Sequence, residues 1–593
     1  MRAYIYILST ACLAVSNVNM PAKAIDGHQE NEISDVTALT NEYWAFVLKE
    51  APTFASSLGV DDYANEVGEY SREADRRRAA KAEEFLNRLN KIDMASLTSN
   101  EKVDYGILKR TLLETIEGDK FPQSYINFTN RSGWHQNFAS MSDNLPFRNA
   151  ADYQSYNNRM KQFSRVNDQS IEVANEAIKL GVTLPCAAME GYENSISGLI
   201  VGDGTKSRFY GPYSKPMPIG MDREEFEGYA LQMAVAYSKI IRPALEKQLN
   251  WYLTSYKPAC SVKPGISAQP QGAAYYDYRV KLMTTTNKSA DEIHNIGLSE
   301  VARIRAEMVE VAKEAGFNSR EAFIEHLRTD PKYYAKTPEE LMEYVARVTK
   351  EIDGKMPSLF GRLPRLPYGI KEIPAEIAEG TTTAYYNPGS PEIGIAGFYY
   401  VNTSKLDQRP LWEVPALSVH EGVPGHHHQI ALQQELELSD FRKNGAFFTS
   451  FVEGWGLYSE RLGIEMGLYD TPAKNMGRLS YEMWRACRLV VDTGIHSKGW
   501  SKEQAIDYMK DNTALSEANI EAEVNRYISW PGQALAYKIG ELKIRELREK
   551  ASKQLGNKFD LRTFHDVVLG QGAVPLDVLE QQVNDWIETE LKG

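Results

Sequence analysis

His420-Glu421-Gly422-Val423-Pro424-Gly425-His426-His427-His428-Gln429 holds four of the chain's ten histidines within nine positions, with a carboxylate beside the first. Neutral imidazoles hold a divalent metal, and an adjacent carboxylate can take a proton from the attacking water, so this residue set is that of a zinc hydrolase. It is not a plain HExxH, in which two histidines at i and i+4 share one helical face. Here position i+4 is Pro424. On an unbroken helix i+6 points about 120° away and i+7 lies about 10 Å along the axis. Neither could share one zinc with His420, whose ligands sit about 2.0–2.1 Å from the ion. Pro424 lacks an N–H and Gly422 and Gly425 allow unusual backbone angles. The expectation is a helix carrying His420 and Glu421, a bulge, and a second helical turn that brings in His426, with His427 as the alternative ligand. The flanking Val414, Pro415, Ala416, Leu417 and Val419 embed these polar groups in a core, where they need partners or a metal. The other reading is a histidine-rich surface turn that binds metal only incidentally.

A third ligand is expected from a neighbouring helix. Glu453 lies in Phe447-Phe448-Thr449-Ser450-Phe451-Val452-Glu453-Gly454-Trp455-Gly456-Leu457-Tyr458-Ser459-Glu460, an apolar and aromatic stretch where an unpaired charge would be costly. It follows His426 by 27 positions, enough for one helix to end and another to pack back. Glu460, two turns on, shares its face and suits a partner that orients a ligand histidine. Both glutamates could instead be satisfied salt bridges in a helix bundle.

Four motifs in order carry a resemblance: His420-Glu421-Gly-Val-Pro-Gly-His426-His427, Phe451-Val-Glu453-Gly-Trp-Gly-Leu-Tyr458, Val491-Asp492-Thr-Gly494-Ile-His496, and Arg526-Tyr527 with Pro531-Gly-Gln533-Ala-Leu-Ala-Tyr537-Lys538-Ile-Gly540. The chain resembles the bacterial domain-of-unknown-function family 885 over most of its length, most closely from about 380 to 545. That resemblance implies an exported or lipid-anchored, nearly all-helical protein similar to zinc metallopeptidases of the thimet-oligopeptidase and Taq-carboxypeptidase type. Thimet-type enzymes also carry a Phe-Val-Glu ligand stretch, which supports Glu453, but their HExxH has no two-residue insertion.

The later motifs suit substrate handling. A Tyr or His can donate a hydrogen bond to the oxyanion formed on the attacked carbonyl, and Tyr537, Tyr527 and His496 are the candidates. Arg526 and Lys538 could pair with a substrate carboxylate. Pro531-Gly532 breaks a helix and could set Gln533 and Tyr537 at a cavity wall. Against this, aromatics at helical spacing are usually core, and Arg and Lys usually face solvent. Thr381–Gly389, containing Tyr385, and Gly397–Thr403 read as two short strands joined by a turn. Such a hairpin beside the zinc helix could align an extended peptide by backbone pairing.

A chain of 593 residues, 42% hydrophobic and 25% charged, has an ordinary globular composition and room for two lobes around a cleft. Its net charge of −13 argues against nucleic-acid or anionic-membrane partners. Residues 1–24 read as an export signal: Arg2, an apolar run too short to span a membrane, then Ala22-Lys23-Ala24 as a cleavage site. Lipid anchoring at Cys12 is the less favoured alternative, because the usual aliphatic residue three positions before is missing. Cys186 and Cys260 could pair in an oxidising compartment, stabilising by about 4 kcal/mol through the 74 positions enclosed. Cys487 reads as a buried thiol. Helices are expected from Ser289 to about Gly316, behind a Ser289/Glu292 capping box, and from Thr337 to about Gly354. They are also expected at 75–92 and 222–256. The Pro- and Gly-rich stretch 257–273 is the expected boundary between an N-terminal helical lobe, 25–270, and a catalytic helical lobe, 271–593. The N-terminal lobe carries no site motif and is expected to wall one side of the cleft.

The reading is therefore a mainly α, helical-bundle, metallopeptidase-like fold with a small hairpin beside the zinc helix and a central cleft. One Zn2+ is expected on His420, His426 and Glu453, with Glu421 as general base and short peptides as substrates in the cell envelope. A metal-dependent amidase acting on non-peptide or cell-wall amides, and a non-catalytic binding lipoprotein of the same fold, are the alternatives. Oligomeric state is not legible in the sequence.

Overall fold

A computed structural model describes residues 34–374, 378, 382–389 and 396–592. The export-signal reading of residues 1–24, with Cys12, and the start of the hairpin at Thr381 lie outside the described residues. Helices dominate, and the sheet has three strands. The chain divides into two compact units. Among the described residues, one runs to Lys263 and includes Gln269–Gln271; the other comprises Pro264–Ala268, Gly272–Gly389 and everything from Ala396.

The first unit is built from capped helices around an aromatic core. Ser71 opens Arg72–Leu89, and Thr98 with Glu101 closes a capping box on Ser99–Asp119. The stretch expected at 222–256 is helical from Arg223, with Asp222 as its cap, and widens into π turns at Tyr237–Ile241 and Tyr252–Tyr256. The first precedes Pro243, which cannot donate the i→i−4 bond and would crowd a regular α turn. Phe128 packs edge-on against Trp134 and Tyr256, and the Trp134 indole donates to Asn167 Oδ1 at 2.8 Å. Arg159, buried, directs its guanidinium to the carbonyls of Pro52, Tyr63 and Glu66 and to Ser56 Oγ. Cys186 and Cys260 form a disulfide with Cα atoms 5.1 Å apart, and Cys487, in the second unit, is a buried free thiol.

In the second unit the elements that build the site are α1 (Gly272–Thr284), α2 (Ala290–Glu314), β1 (Tyr368–Glu372), β2 (Ala384–Asn387), β3 (Gly397–Val401), α3 (Val414–Glu421), α4 (His426–Glu435), α5 (Thr449–Leu462), α6 (Pro472–His496), α7 (Glu517–Ser529) and α8 (Ala536–Leu555). The Ser289/Glu292 capping box forms at the start of α2, and the helix read from Thr337 runs Pro338–Asp353. The expected hairpin is present, β2 pairing antiparallel with β3. The sequence reading missed β1, which pairs parallel on the other side of β3. α6 is buried almost along its whole length. Helices α5 and α8 cross backbone to backbone: a Cβ on Gly454 would lie 2.6 Å from Gly540 Cα.

Most charges in this core are paired. Lys538, expected at a substrate carboxylate, is instead fully buried, with Nζ 3.0 Å from Glu300 and 2.9 Å from both Glu482 and Glu541. Arg303 and Arg478 also contact Glu482. With three carboxylates holding it, Lys538 has no donor direction open to a substrate. Removing one partner of a buried ion cluster leaves the others uncompensated, at a cost of about 3–5 kcal/mol. Lys538→Met should therefore lower stability by about that amount in denaturant titration; an unchanged midpoint would contradict the structural role.

Candidate metal centre

All of α3 is buried, because its apolar residues are packed on every side. The helix stops after Glu421. The Gly422 amide donates to Ser418 O at 2.9 Å, the Gly425 amide turns back to Val419 O at 2.9 Å, and the His427 amide reaches Gly422 O at 3.1 Å. Gly425 is required by close approach, since a Cβ there would lie 2.0 Å from His420 O and 2.4 Å from Val419 O. The Val423–Pro424 peptide is cis. α4 begins at His426, so the break absorbs the two extra residues and returns His426 beside His420. Their ring centroids are 4.7 Å apart, with planes at 87°.

α5 meets this break with four consecutive residues, each with its own part. Glu453 Oε2 lies 3.5 Å from His420 Nε2 and 3.4 Å from His426 Nε2. Gly454 makes the crossing with α8. The Trp455 indole donates to Pro424 O at 2.8 Å and holds the loop. Gly456 leaves room for the ligand ring: a Cβ there would lie 2.8 Å from His420 Cε1 and 2.9 Å from Nε2. One turn on, Glu460 Oε1 lies 2.8 Å from His420 Nδ1 and 3.3 Å from Arg485 Nη2. That contact sets the His420 tautomer, with Nδ1–H donating and Nε2 facing Glu453 and His426, as outer carboxylates do for ligand histidines.

His420 Nε2, His426 Nε2 and Glu453 Oε2 all fall within 4.8 Å of one another and could hold one metal ion. The 3.4 and 3.5 Å separations are longer than ordinary N–H···O hydrogen bonds. They match the edge of about 3.3–3.6 Å between ligand atoms around a tetrahedral zinc with bonds of about 2.0–2.2 Å. Electrostatics agree. Burial pulls the His420 pKa down, but Glu453 and Glu460 outweigh it and raise it to about 9. Burial likewise opposes ionisation of Glu453, yet His420 and His426 hold it well below the usual carboxylate range. The His420 shift describes a place that favours an added positive charge, and the Glu453 shift keeps its carboxylate ionised. Glu421, the expected base, is buried at the end of α3 beside His420.

His427, the alternative ligand, is turned away. Its Nδ1 lies 2.9 Å from the Tyr386 hydroxyl and its Nε2 3.0 Å from Leu366 O, and burial lowers its pKa to about 4. Tyr386 shares the buried face of the sheet with Tyr399. Tyr385, expected to contact substrate, alternates to the other face and stacks on Tyr400 at 4.9 Å. It therefore does not face the motif helices.

The later motifs divide. His496 is not free for an oxyanion: the Ile266 amide donates to Nδ1 at 3.1 Å, and Nε2 is 2.9 Å from Tyr527 O. Tyr527 is fully buried, its hydroxyl taking the Trp484 indole N–H and Arg488 Nε, each at 3.0 Å. Both serve the packing of α6 against α7. Asp492 accepts from the Gly532 amide at 3.1 Å and from the Tyr276 hydroxyl, which fixes the turn at Pro531-Gly532. That turn delivers Gln533 and Tyr537 to Arg526, whose Nη2 donates to Gln533 Oε1 at 2.7 Å and to the Tyr537 hydroxyl at 3.3 Å. Arg526, Gln533 and Tyr537 thus form one cluster. Sequence reasoning overlooked Arg485 and Arg488, although two arginines in the apolar run Met483–Leu489 were a visible signal.

Gly456→Ala should keep the fold by circular dichroism but push the His420 ring aside. Affinity for added Zn2+, read by chelator competition, should fall about 10-fold or more; unchanged affinity would place the ion elsewhere.

The crystal structure of a "putative lipoprotein" from Colwellia psychrerythraea is 28% identical to this chain, with a TM-score of 0.85, covering 94% of this chain and 100% of its own. That of a "putative lipoprotein of unknown function" from Shewanella oneidensis is 18% identical, with a TM-score of 0.73, covering 92% and 99%, and shares the fold. No curated protein matches the chain. The family described as "Bacterial protein of unknown function (DUF885)" matches residues 52–583, and the four ordered motifs and the helical architecture lie within that span: the chain belongs to this family.

Proposed function

We propose that this protein is a zinc-dependent peptidase of the cell envelope that hydrolyses short peptides. The observation that carries the reading is the convergence of His420 Nε2, His426 Nε2 and Glu453 Oε2 at separations suited to a tetrahedral ion rather than to hydrogen bonds. Zinc held by these three residues would supply Lewis acidity to a carbonyl and an acidified water. The chain's own groups do the remaining work. Glu421 accepts the proton of the attacking water and passes it to the leaving amine. Glu460 keeps His420 in the ligating tautomer. Tyr537, whose hydroxyl accepts from Arg526 and retains its own proton, is the donor for the oxyanion.

The ligand side chains are recessed, with exposures of 3% for His420, 12% for His426 and 20% for Glu453, which favours a flexible peptide over a folded protein. The Cys186–Cys260 disulfide fits an oxidising compartment outside the cytosol. The description of the Colwellia relative as a lipoprotein points the same way. No helix among the described residues is long and apolar enough to cross a membrane.

Zinc-loaded protein should cleave short peptides, and Glu421→Gln should retain zinc while lowering kcat by about 100-fold or more. Full turnover by the Glu421→Gln protein would refute the base assignment, and wild-type protein inert toward a peptide library would refute the peptidase reading.

A further inference from the structure

Beside the metal centre, α6 and α7 gather three arginines. Arg485, Arg488 and Arg526 have two carboxylates at ion-pair distance, Glu460 and Glu523, and Arg485 also feels the buried Glu413. Glu460 is already committed to His420. Glu523 is shared, 2.9 Å from Arg488 Nη2 and 3.5 Å from Arg526 Nη1. Arg488 lies between the rings of Trp484 and Tyr537, 4.5 and 4.4 Å from their centroids, and its Nη1 is buried without a hydrogen-bond partner. A buried guanidinium N–H without a partner is costly unless an acceptor reaches it.

Arg526 is the member of this group that reaches outward: its side chain is 18% exposed, against 6% for Arg485 and 3% for Arg488. Its neighbours are polarised by it. Gln533 gives its oxygen to Arg526, which leaves the amide NH2 as a donor. The Tyr537 hydroxyl likewise accepts from Arg526. The surface formed is rich in donors, and an ionised carboxylate, which only accepts, is its chemical complement. The planar guanidinium suits two-point contact with such a group. The cluster adjoins the metal centre through Glu460, which touches both His420 and Arg485, and through the α5–α8 crossing at Gly454 and Gly540, one turn from Tyr537.

We propose that substrates are recognised through a carboxylate received by Arg526 and the Gln533 amide, so that Arg526 is a specificity-determining residue; this rests on the peptidase reading. The carboxylate could be a peptide's C-terminus or an acidic side chain.

The test is calorimetric binding to full-length, zinc-loaded Glu421→Gln protein, which retains the site without turnover. Three probes are compared: N-acetyl-dialanine with a free carboxylate, the same dipeptide as its terminal amide, and an amide-terminated dipeptide ending in glutamate. The free carboxylate should bind about 30-fold tighter than the amide, the scale of a charge-assisted contact. Adding Arg526→Gln should collapse that ratio to near one, and Arg526→Lys, which keeps the charge but not the fork, should leave an intermediate ratio. Equal binding of acid and amide by the parent protein would overturn the proposal even if Arg526→Gln failed to fold, as would a ratio unchanged in a folded Arg526→Gln protein. Tight binding of the glutamate amide would support carboxylate recognition and assign it to side chains as well. A preserved acid preference with no hydrolysis of the bound dipeptide by wild-type protein would support this proposal and count against the peptidase reading alone.

Discussion

The indole N–H of Trp455 donating to the carbonyl of Pro424 is the contact on which the geometry of the centre depends. It ties α5 to the break between α3 and α4, and the break is what allows histidines six positions apart to face one carboxylate, Glu453. A continuous helix would separate them by about 9 Å along its axis. The loop can close only because Gly425 brings backbone against the His420 carbonyl, where any side chain would collide. Once the loop is fixed, the register of α5 distributes the other roles. Glu453 points into the centre, Gly454 lets α8 approach, Gly456 makes room for the His420 ring, and Glu460 reaches its far nitrogen. Helical periodicity places residues three, four and seven apart on one face, so one helix supplies a carboxylate facing both histidines, a spacer and an orienting carboxylate together.

A second constraint is charge. The unit buries many ionisable groups in α2, α6, α7 and α8, and most are balanced locally, as around Lys538 and Glu482. Buried pairs of this kind contribute little net stability but penalise any arrangement that separates them. They hold α6 in register against α2 and α8, which in turn fixes Arg485 beside Glu460 and Arg488 beside Tyr537. Asp492 extends the same logic to backbone, pinning the Gly532 turn from which Gln533 and Tyr537 reach Arg526. Arg488 stands out against this interior, its Nη1 buried without a hydrogen-bond partner.

Much of the centre was legible in the sequence because its chemistry is concentrated in rare residues at short spacing. Pro424 and its flanking glycines announced the break, and the apolar setting of Glu453 announced an acid recessed among helices. His426 was preferred to His427 because of the glycine before it, and the structure sets His426 beside His420 and Glu453 while the His427 ring is held by Tyr386 and Leu366. His496, Tyr527 and Lys538 were misread because a buried polar side chain has the same sequence signature whether it meets a substrate or a neighbouring helix. Only their partners decide, and those lie as far as 230 positions away in the chain, as Ile266 does from His496. Strand β1 escaped notice since its parallel pairing with β3 leaves no turn signal between them.

The central claim is that one ion is held by His420, His426 and Glu453. Elemental analysis of zinc in purified wild-type, His426→Ala and His427→Ala proteins tests it most directly. The account predicts about one zinc per chain in wild-type protein and in His427→Ala, and loss of the metal in His426→Ala. Zinc retained by His426→Ala and lost from His427→Ala, or absent from wild-type protein even after zinc is supplied, would contradict it.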